Sequence, residues 1–286
     1  MTWTLSAFAD EAGGSTDEQI AALQRANMQY IDPRSIDGHN ITELPEDTAK
    51  QVKQKFDAAG VTVQMFGSPI GKIDAADEIE ADLAKLRHLA KMRDIFGCNG
   101  VRIFSYYNKT GLSHADWQQK SLDHLKKLID LADQLDLVLY HENESGIFGD
   151  KSDDVLAIAE LRGPRLKLIY DFANYIRTGE AGWDTWQKCK GITDCFHFKD
   201  QRKNREHMPL GQGETDAREI LADAAKAGWS GPCTVEPHLT QSKAVLATHF
   251  TGTGATALAD MPKAETFHLA ATEAQKLMDA LGIDYR

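Results

Sequence analysis

Short apolar runs rich in β-branched and aromatic residues recur along the chain. They lie at Thr4 to Phe8, Tyr30 to Asp32, Val61 to Phe66, Gly100 to Phe104, Leu137 to His141, Leu166 to Tyr170, Cys195 to Phe198 and Cys233 to Val235. Runs of this length and make-up predict buried strands. Between them the apolar spacing changes to three and four. From Ile79 to Phe96, the residues Leu83, Leu86, Leu89, Ala90 and Ile95 form one stripe; from Trp117 to Leu135, Leu122, Leu125, Leu128, Ile129 and Ala132 form another. Each stripe predicts an amphipathic helix. Thr16-Asp-Glu-Gln reads as a helix start, and Gly60, Gly97 and Gly228 each stand between a helical stretch and the next strand, where helices end.

Strand and helix alternate eight times over roughly 250 residues with short connections, which predicts an α/β fold of the (β/α)8 (TIM) barrel type. A doubly wound open sheet is the alternative. Glycines and prolines fall mostly singly and no low-complexity run divides the chain, so residues 1–286 are expected to form a single domain. The exception to short connections is a long loop around 238–263, which includes Phe250-Thr-Gly-Thr-Gly-Ala and precedes a last helix near Glu265. Loops this long commonly act as lids or binding loops.

Composition narrows the partners. Charged residues make up 26% and apolar ones 42%, as in ordinary globular chains. The net charge of −11 and the lack of a Lys/Arg block oppose binding to nucleic acid. Cys98, Cys189, Cys195 and Cys233 are widely spaced with no CxxC pair, so free thiols are expected rather than a zinc ribbon or disulfide framework. The start of the chain has no basic, then apolar, leader pattern, and no run approaches the roughly 20 apolar residues of a membrane span. The expectation is a soluble cytoplasmic protein acting on a small molecule, with a homodimer possible through the long loop and helix ends.

In such a barrel the carboxyl ends of the strands face one shared mouth, so polar residues there are the ones to read for chemistry. Strand five ends in His141-Glu-Asn-Glu144, strand six in Tyr170-Asp-Phe-Ala-Asn174, strand seven in Phe196-His-Phe-Lys-Asp200 and strand eight in Val235-Glu-Pro-His238. Independent helix caps do not explain a carboxylate, a carboxylate, an imidazole and a carboxylate from four successive strands. Glu142, Asp171, His197 and Glu236 offer three oxygen donors and one nitrogen, a set suited to one divalent ion: Mn, Mg, Co or Zn. Glu142 and Glu144 share strand parity, so either can face inward. Glu142 is the preferred ligand; Glu144 then contacts substrate or supports the site, or caps the turn at Ser145-Gly146. Lys72, Arg102, Lys199, Arg202, Asp200 and His238 are further polar candidates near strand ends.

These residues resemble the xylose isomerase-like sugar isomerases and epimerases, whose barrel is shared with the endonuclease IV group. The likeness spans nearly the whole chain. It includes Phe8-Ala-Asp-Glu11, Ser68-Pro-Ile-Gly-Lys72, Arg102-Ile-Phe-Ser105 and Gly211-Gln-Gly-Glu214, and is densest at the four strand-end motifs. The resemblance implies that Glu142, Asp171, His197 and Glu236 ligate the metal, and that Glu142 and Glu236 double as acid/base groups on opposite faces of a sugar. It also places Asn174 where relatives carry a substrate-binding side chain. Many relatives have a Glu after strand two where this chain reads Ile31-Asp-Pro-Arg34, a departure that bears on the pocket.

The implied reaction is isomerisation or epimerisation of a ketose or related sugar, phosphorylated or not, through a metal-stabilised enediolate. The alternatives are dehydration of a keto-sugar or keto-inositol at the same metal site, and a non-catalytic sugar-binding barrel. An endonuclease is disfavoured, because the third and fourth strand ends, Phe66-Gly-Ser68 and Ser105-Tyr-Tyr107, lack the extra histidines of a three-metal site.

Overall fold

The computed structural model describes residues 2–239, 258 and 260–286; Phe250-Thr-Gly-Thr-Gly-Ala and most of the long loop lie outside the described residues. In chain order the elements are β1 (Thr4–Ala7), α1 (Thr16–Arg25), β2 (Tyr30–Ile31), β3 (Ser35–Ile36), β4 (His39–Asn40), α2 (Glu46–Ala59) and β5 (Thr62–Val63). Next come α3 (Glu80–Phe96), β6 (Gly100–Ile103), α4 (His114–Gln134), β7 (Val138–Glu142), α5 (Ser152–Ala159), β8 (Leu166–Asp171), α6 (Phe172–Arg177) and α7 (Gly182–Cys189). The described chain ends with β9 (Cys195–Phe198), β10 (Asp200–Gln201), β11 (His207–Met208), α8 (Ala217–Lys226), β12 (Pro232–Val235) and α9 (Lys263–Ala280). Every run expected to be a strand forms one, and α9 begins two residues before Glu265.

Six strands pair in parallel in the order β1, β12, β9, β8, β7, β6, and β2 pairs in parallel with β5. Two seams join these sheets. The Asp32 N–H donates to Ala7 O at 3.0 Å, tying the end of β2 to β1. The Phe66 N–H donates to Gly100 O at 2.8 Å and the Arg102 N–H to Phe66 O at 2.9 Å, tying the chain beyond β5 to β6. Hydrogen bonds therefore run round a closed ring of strands, and the barrel prevails over the open sheet. Two small antiparallel hairpins, β3–β4 and β10–β11, decorate the mouth loops.

Local chemistry explains the boundaries. Ser15 caps α1: its Oγ accepts from the Glu18 N–H, and the Glu18 carboxylate accepts from the Ser15 N–H at 2.9 Å, a reciprocal capping box. Helices α2 and α3 end at Gly60 and Gly97, with φ of 69° and 73°, a left-handed conformation that costs other residues about 1 kcal/mol.

Strand parity then builds the site in layers. Met65, Tyr140, Ile169 and Cys195 pack together. Two residues further along β7, β8 and β9 stand Glu142, Asp171 and His197, on the same side of each strand. Register agrees, since Asp171 lies opposite His197 in the β8–β9 pair. The strands carrying these two residues are anchored on their outer side: Phe172 stacks on Phe196 at 5.4 Å, and Trp186 meets Tyr170 edge-on at 5.7 Å. Burying each such ring stabilises by on the order of 2–3 kcal/mol, enough to fix the position of the strand ends. The four cysteines are buried free thiols. No helix among the described residues is long and apolar enough to cross a membrane.

Candidate metal centre

Glu142 is the last residue of β7, Asp171 the last of β8, His197 lies within β9 and Glu236 follows β12. All are buried, and one donor atom from each lies within 4.8 Å of the others. His197 Nδ1 stands at the middle, 2.9 Å from Glu142 Oε1 and 3.2 Å from Glu236 Oε2. Asp171 Oδ1 accepts from the Asn174 N–H at 2.9 Å, capping α6 and leaving Oδ2 turned elsewhere. Asp171 Oδ2 and Glu142 Oε2 are buried, and their contacts are ion pairs with Lys199 and Arg102 rather than well-aligned hydrogen bonds. Three carboxylates and an imidazole crowded together in a buried site are costly unless their charge is compensated, and a divalent cation is the kind of group that suits such a donor set. The residues present therefore fit one.

Fixed cations surround the cluster. Arg102 Nη1 is 3.3 Å from Glu142 Oε2, Lys199 Nζ is 2.7 Å from Asp171 Oδ2, and Arg34 Nη1 is 3.7 Å from Glu236 Oε1. Burial works to raise the Glu142 carboxyl but is outweighed by His197 and Arg102, which hold it at about 2. Asp171 goes the other way: burial pushes it up to about 8 against the pull of Lys199. Burial also disfavours a charged His197 ring, yet Glu142 and Glu236 raise it to about 9. A metal ion and protons compete for ligands of this kind.

The other expected residues fall at graded distances from the cluster. Arg102, Lys199 and His238 join it directly; His238 Nε2 is 3.5 Å from Glu236 Oε1 and its Nδ1 is 3.0 Å from Glu11 Oε1. Asn174 Nδ2 donates to Asn143 O at 2.8 Å, and its Oδ1 is a buried acceptor without a partner. Glu144 does two things: Oε1 accepts from the Ser145 N–H at 2.9 Å, capping the turn, and Oε2 meets Lys72 at 3.2 Å. Lys72 also lies over the Phe104 ring at 4.2 Å. Arg202 is half-exposed and paired with Glu206 at 2.8 Å. Asp200 anchors a loop, accepting from the Gly211 and Gly213 N–H groups at 2.8 and 3.0 Å and from Thr215 Oγ1 at 2.7 Å. His141 packs away from the centre, with Nε2 at 2.8 Å from Ser105 Oγ.

Three buried residues that the sequence placed in motifs but gave no role, Asp10, Glu11 and Arg34, join the site from the other half of the barrel. Arg34 binds Asp10 through Nε and Nη2 at 2.9 and 3.1 Å and reaches Glu11 at 3.3 Å. Their signal was the same as for the ligands, since they are charged residues just past the ends of β1 and β2. Glu11, Glu236 and His238 form a second group of neighbouring donors. The four-residue set offers one more carboxylate than this second group, which makes it the stronger cation site. Asp32, the departure noted after strand two, is buried and accepts from Thr234 Oγ1 at 2.6 Å.

Comparison with known proteins bears on the fold. No curated protein matches the chain in sequence. Among solved structures, the chain is similar to an IOLI protein with a bound zinc atom (TM-score 0.75, 13% identity, covering 97% of this chain and 99% of that one). It is similar also to D-psicose 3-epimerase determined in the presence of D-fructose (TM-score 0.73, 13% identity, 98% and 99% covered). A third is the probable 3-DHS dehydratase AsbF from Bacillus anthracis (TM-score 0.70, 15% identity, 96% and 99% covered). At these identities the likeness shows the fold. The family profile described as xylose isomerase-like TIM barrel matches residues 20–251, and the chain belongs to that family.

Proposed function

We propose that this protein is a divalent-metal-dependent isomerase or epimerase of a ketose or related sugar. The observation that carries the reading is the pair Glu142 and Glu236, which bring carboxylate oxygens from separate strands to within 2.9 and 3.2 Å of one His197 nitrogen at the barrel mouth. Glu142, Asp171, His197 and Glu236 hold the ion, which when bound stabilises negative charge on substrate oxygens.

The chain's own groups move the proton. One of Glu142 and Glu236 accepts the proton from the carbon beside the carbonyl, and the C–H electron pair passes into the enediolate. The other returns a proton to the opposite face of that carbon, giving the epimer, or to the neighbouring carbon, giving the aldose or ketose isomer. Arg102 keeps Glu142 ionised and so able to act as base, while Arg34 and His238 position Glu236. Asn174, Glu144 and Lys72 serve as contacts for sugar hydroxyls in this reading. The D-psicose epimerase and IOLI likenesses support a sugar substrate and a metal.

The test is incubation of the Mn²⁺-loaded protein with ketoses, D-fructose first, in D₂O. Deuterium at an inverted or isomerised carbon is the expected result. A product lighter by one water replaces this reading with dehydration, and absence of any bound divalent ion in the supplemented protein overturns the metal role.

A further inference from the structure

Lys199 lies two residues past His197, at the end of β9, and its side chain is 3% exposed. Nζ is 2.7 Å from Asp171 Oδ2 and 3.5 Å from Glu236 Oε2. Both are the inward oxygens of their carboxylates. Asp171 Oδ1 is taken by the Asn174 N–H, and Glu236 Oε1 faces Arg34 and His238, while Glu236 Oε2 is the oxygen nearest His197. The ammonium therefore lies against one oxygen of each of two candidate ligands, on the side of the donor cluster.

Charge shows what such an arrangement does. Three ligand carboxylates and a divalent ion leave one negative charge at the centre, and a negative centre resists the oxyanion that forms when a C–H proton leaves. Lys199 and Arg102, both in contact with ligand oxygens, reverse that sign. The reversal has a consequence for the ion, because a buried ammonium this close to two ligands repels it.

We propose that Lys199 is a second cationic member of the centre: it shares the inward oxygens of Asp171 and Glu236 with the divalent ion, weakens that ion's binding, and donates an N–H to the substrate oxygen on which negative charge develops. This role rests on the metal reading given above. The ligand it recognises is an α-hydroxy carbonyl compound in its enediolate form, held between the ion and the ammonium. Preorganised donors aimed at developing charge supply the largest single contribution in many enzymes.

The test compares the wild type with Lys199→Met and Lys199→Arg by Mn²⁺ titration and by binding of glycolohydroxamate, an enediolate mimic, to the Mn²⁺-loaded proteins. In Lys199→Met, Mn²⁺ should bind at least tenfold more tightly, while the hydroxamate binds at least tenfold more weakly. Lys199→Arg, which keeps the charge, should hold Mn²⁺ within about threefold of wild type. Circular dichroism confirms the fold of each variant, and Lys199→Gln replaces the Met variant if that one is unfolded. Weaker or unchanged Mn²⁺ binding in the neutral variant overturns the sharing of ligands and makes Lys199 a support for Asp171. Tighter Mn²⁺ with unchanged hydroxamate binding overturns the substrate contact. A wild-type protein that takes up no Mn²⁺ overturns the metal reading itself, and with it this role; the other two outcomes leave that reading standing.

Discussion

Arg34 holds Asp10 through two hydrogen bonds of 2.9 and 3.1 Å, joining the segments that follow β1 and β2 where both side chains are buried. The remaining nitrogen, Nη1, faces Glu236. One guanidinium thus neutralises a buried carboxylate of one half of the barrel and orients a proposed catalytic carboxylate of the other.

Removing Arg34 leaves Asp10 and Glu11 buried without their cation, and breaking a buried pair in this way costs about 3–5 kcal/mol. Arg34→Met should lose stability of that order in urea denaturation of the metal-free protein. Asp10→Asn, which removes charge and leaves a hydrogen-bonding group of the same shape, should lose clearly less. Equal losses would mean that packing rather than charge holds this corner.

Glu142 ends β7 and Glu144 lies two residues further on, in the turn, and their contacts differ. Glu142 contacts His197 and Arg102; Glu144 contacts Lys72 and its own turn. Glu142→Gln should therefore weaken Mn²⁺ binding by about 10–100-fold and lower kcat by roughly a thousandfold. Glu144→Gln should leave Mn²⁺ affinity within a few-fold and raise KM. Isothermal titration with Mn²⁺ and steady-state kinetics distinguish the two. The reverse pattern would exchange their roles.

Chelation offers a variant-free check. A ligand bound by the folded state alone stabilises it by about 2.7 kcal/mol at a hundredfold excess over Kd. Adding EDTA to the Mn²⁺-loaded protein should lower its melting temperature, whereas in Asp171→Asn the chelator should have little effect. The Asp171 oxygen facing Lys199 is the donor being tested.

The barrel was legible because its eight runs and the stripes between them obey different periods, and because Gly60 and Gly97 mark helix ends that few other residues tolerate. The grouping of the four candidate ligands was legible because each lies at or beside the carboxyl end of its strand. What sequence could not supply is which charged neighbours face each other across the barrel. Arg34 and Glu236 are some 200 positions apart, and only closure of β1 against both β2 and β12 brings them together. Asp200 shows the opposite limit: it sits at a strand end like a ligand, but the following glycine N–H groups fold back and occupy it.

His141 gives a pH test. Burial lowers its pKa from 6.5 to about 3, since the neutral ring packs against Ser105 and cannot be charged there without loss. Between these values the unfolded chain binds a proton that the folded one does not, so stability is lost as pH falls from 6.5 toward 3, by about 5 kcal/mol in full. Above 6.5 this contribution is constant. Denaturation of the metal-free protein at pH 7 and pH 5 should show a larger fall for wild type than for His141→Gln. Equal falls would mean that His141 is charged in the folded protein.

Gly213 tests whether the loop tied to Asp200 serves the site. A Cβ at this position would lie 2.0 Å from Asp200 Oδ1 and 2.6 Å from Gln201 O, so Gly213→Ala must push the loop away from the β10–β11 hairpin. The displaced loop gives up the hydrogen bonds that Asp200 accepts from Gly211, Gly213 and Thr215. Each such bond to a carboxylate contributes about 1.5–3 kcal/mol, and partial loss should cost about 2 kcal/mol of stability. Because Asp200 follows Lys199 directly, the same displacement should raise KM while leaving Mn²⁺ affinity nearly unchanged, the ligands being held by β7, β8, β9 and β12. Loss of Mn²⁺ binding in Gly213→Ala would show instead that the loop holds the ligands themselves in place.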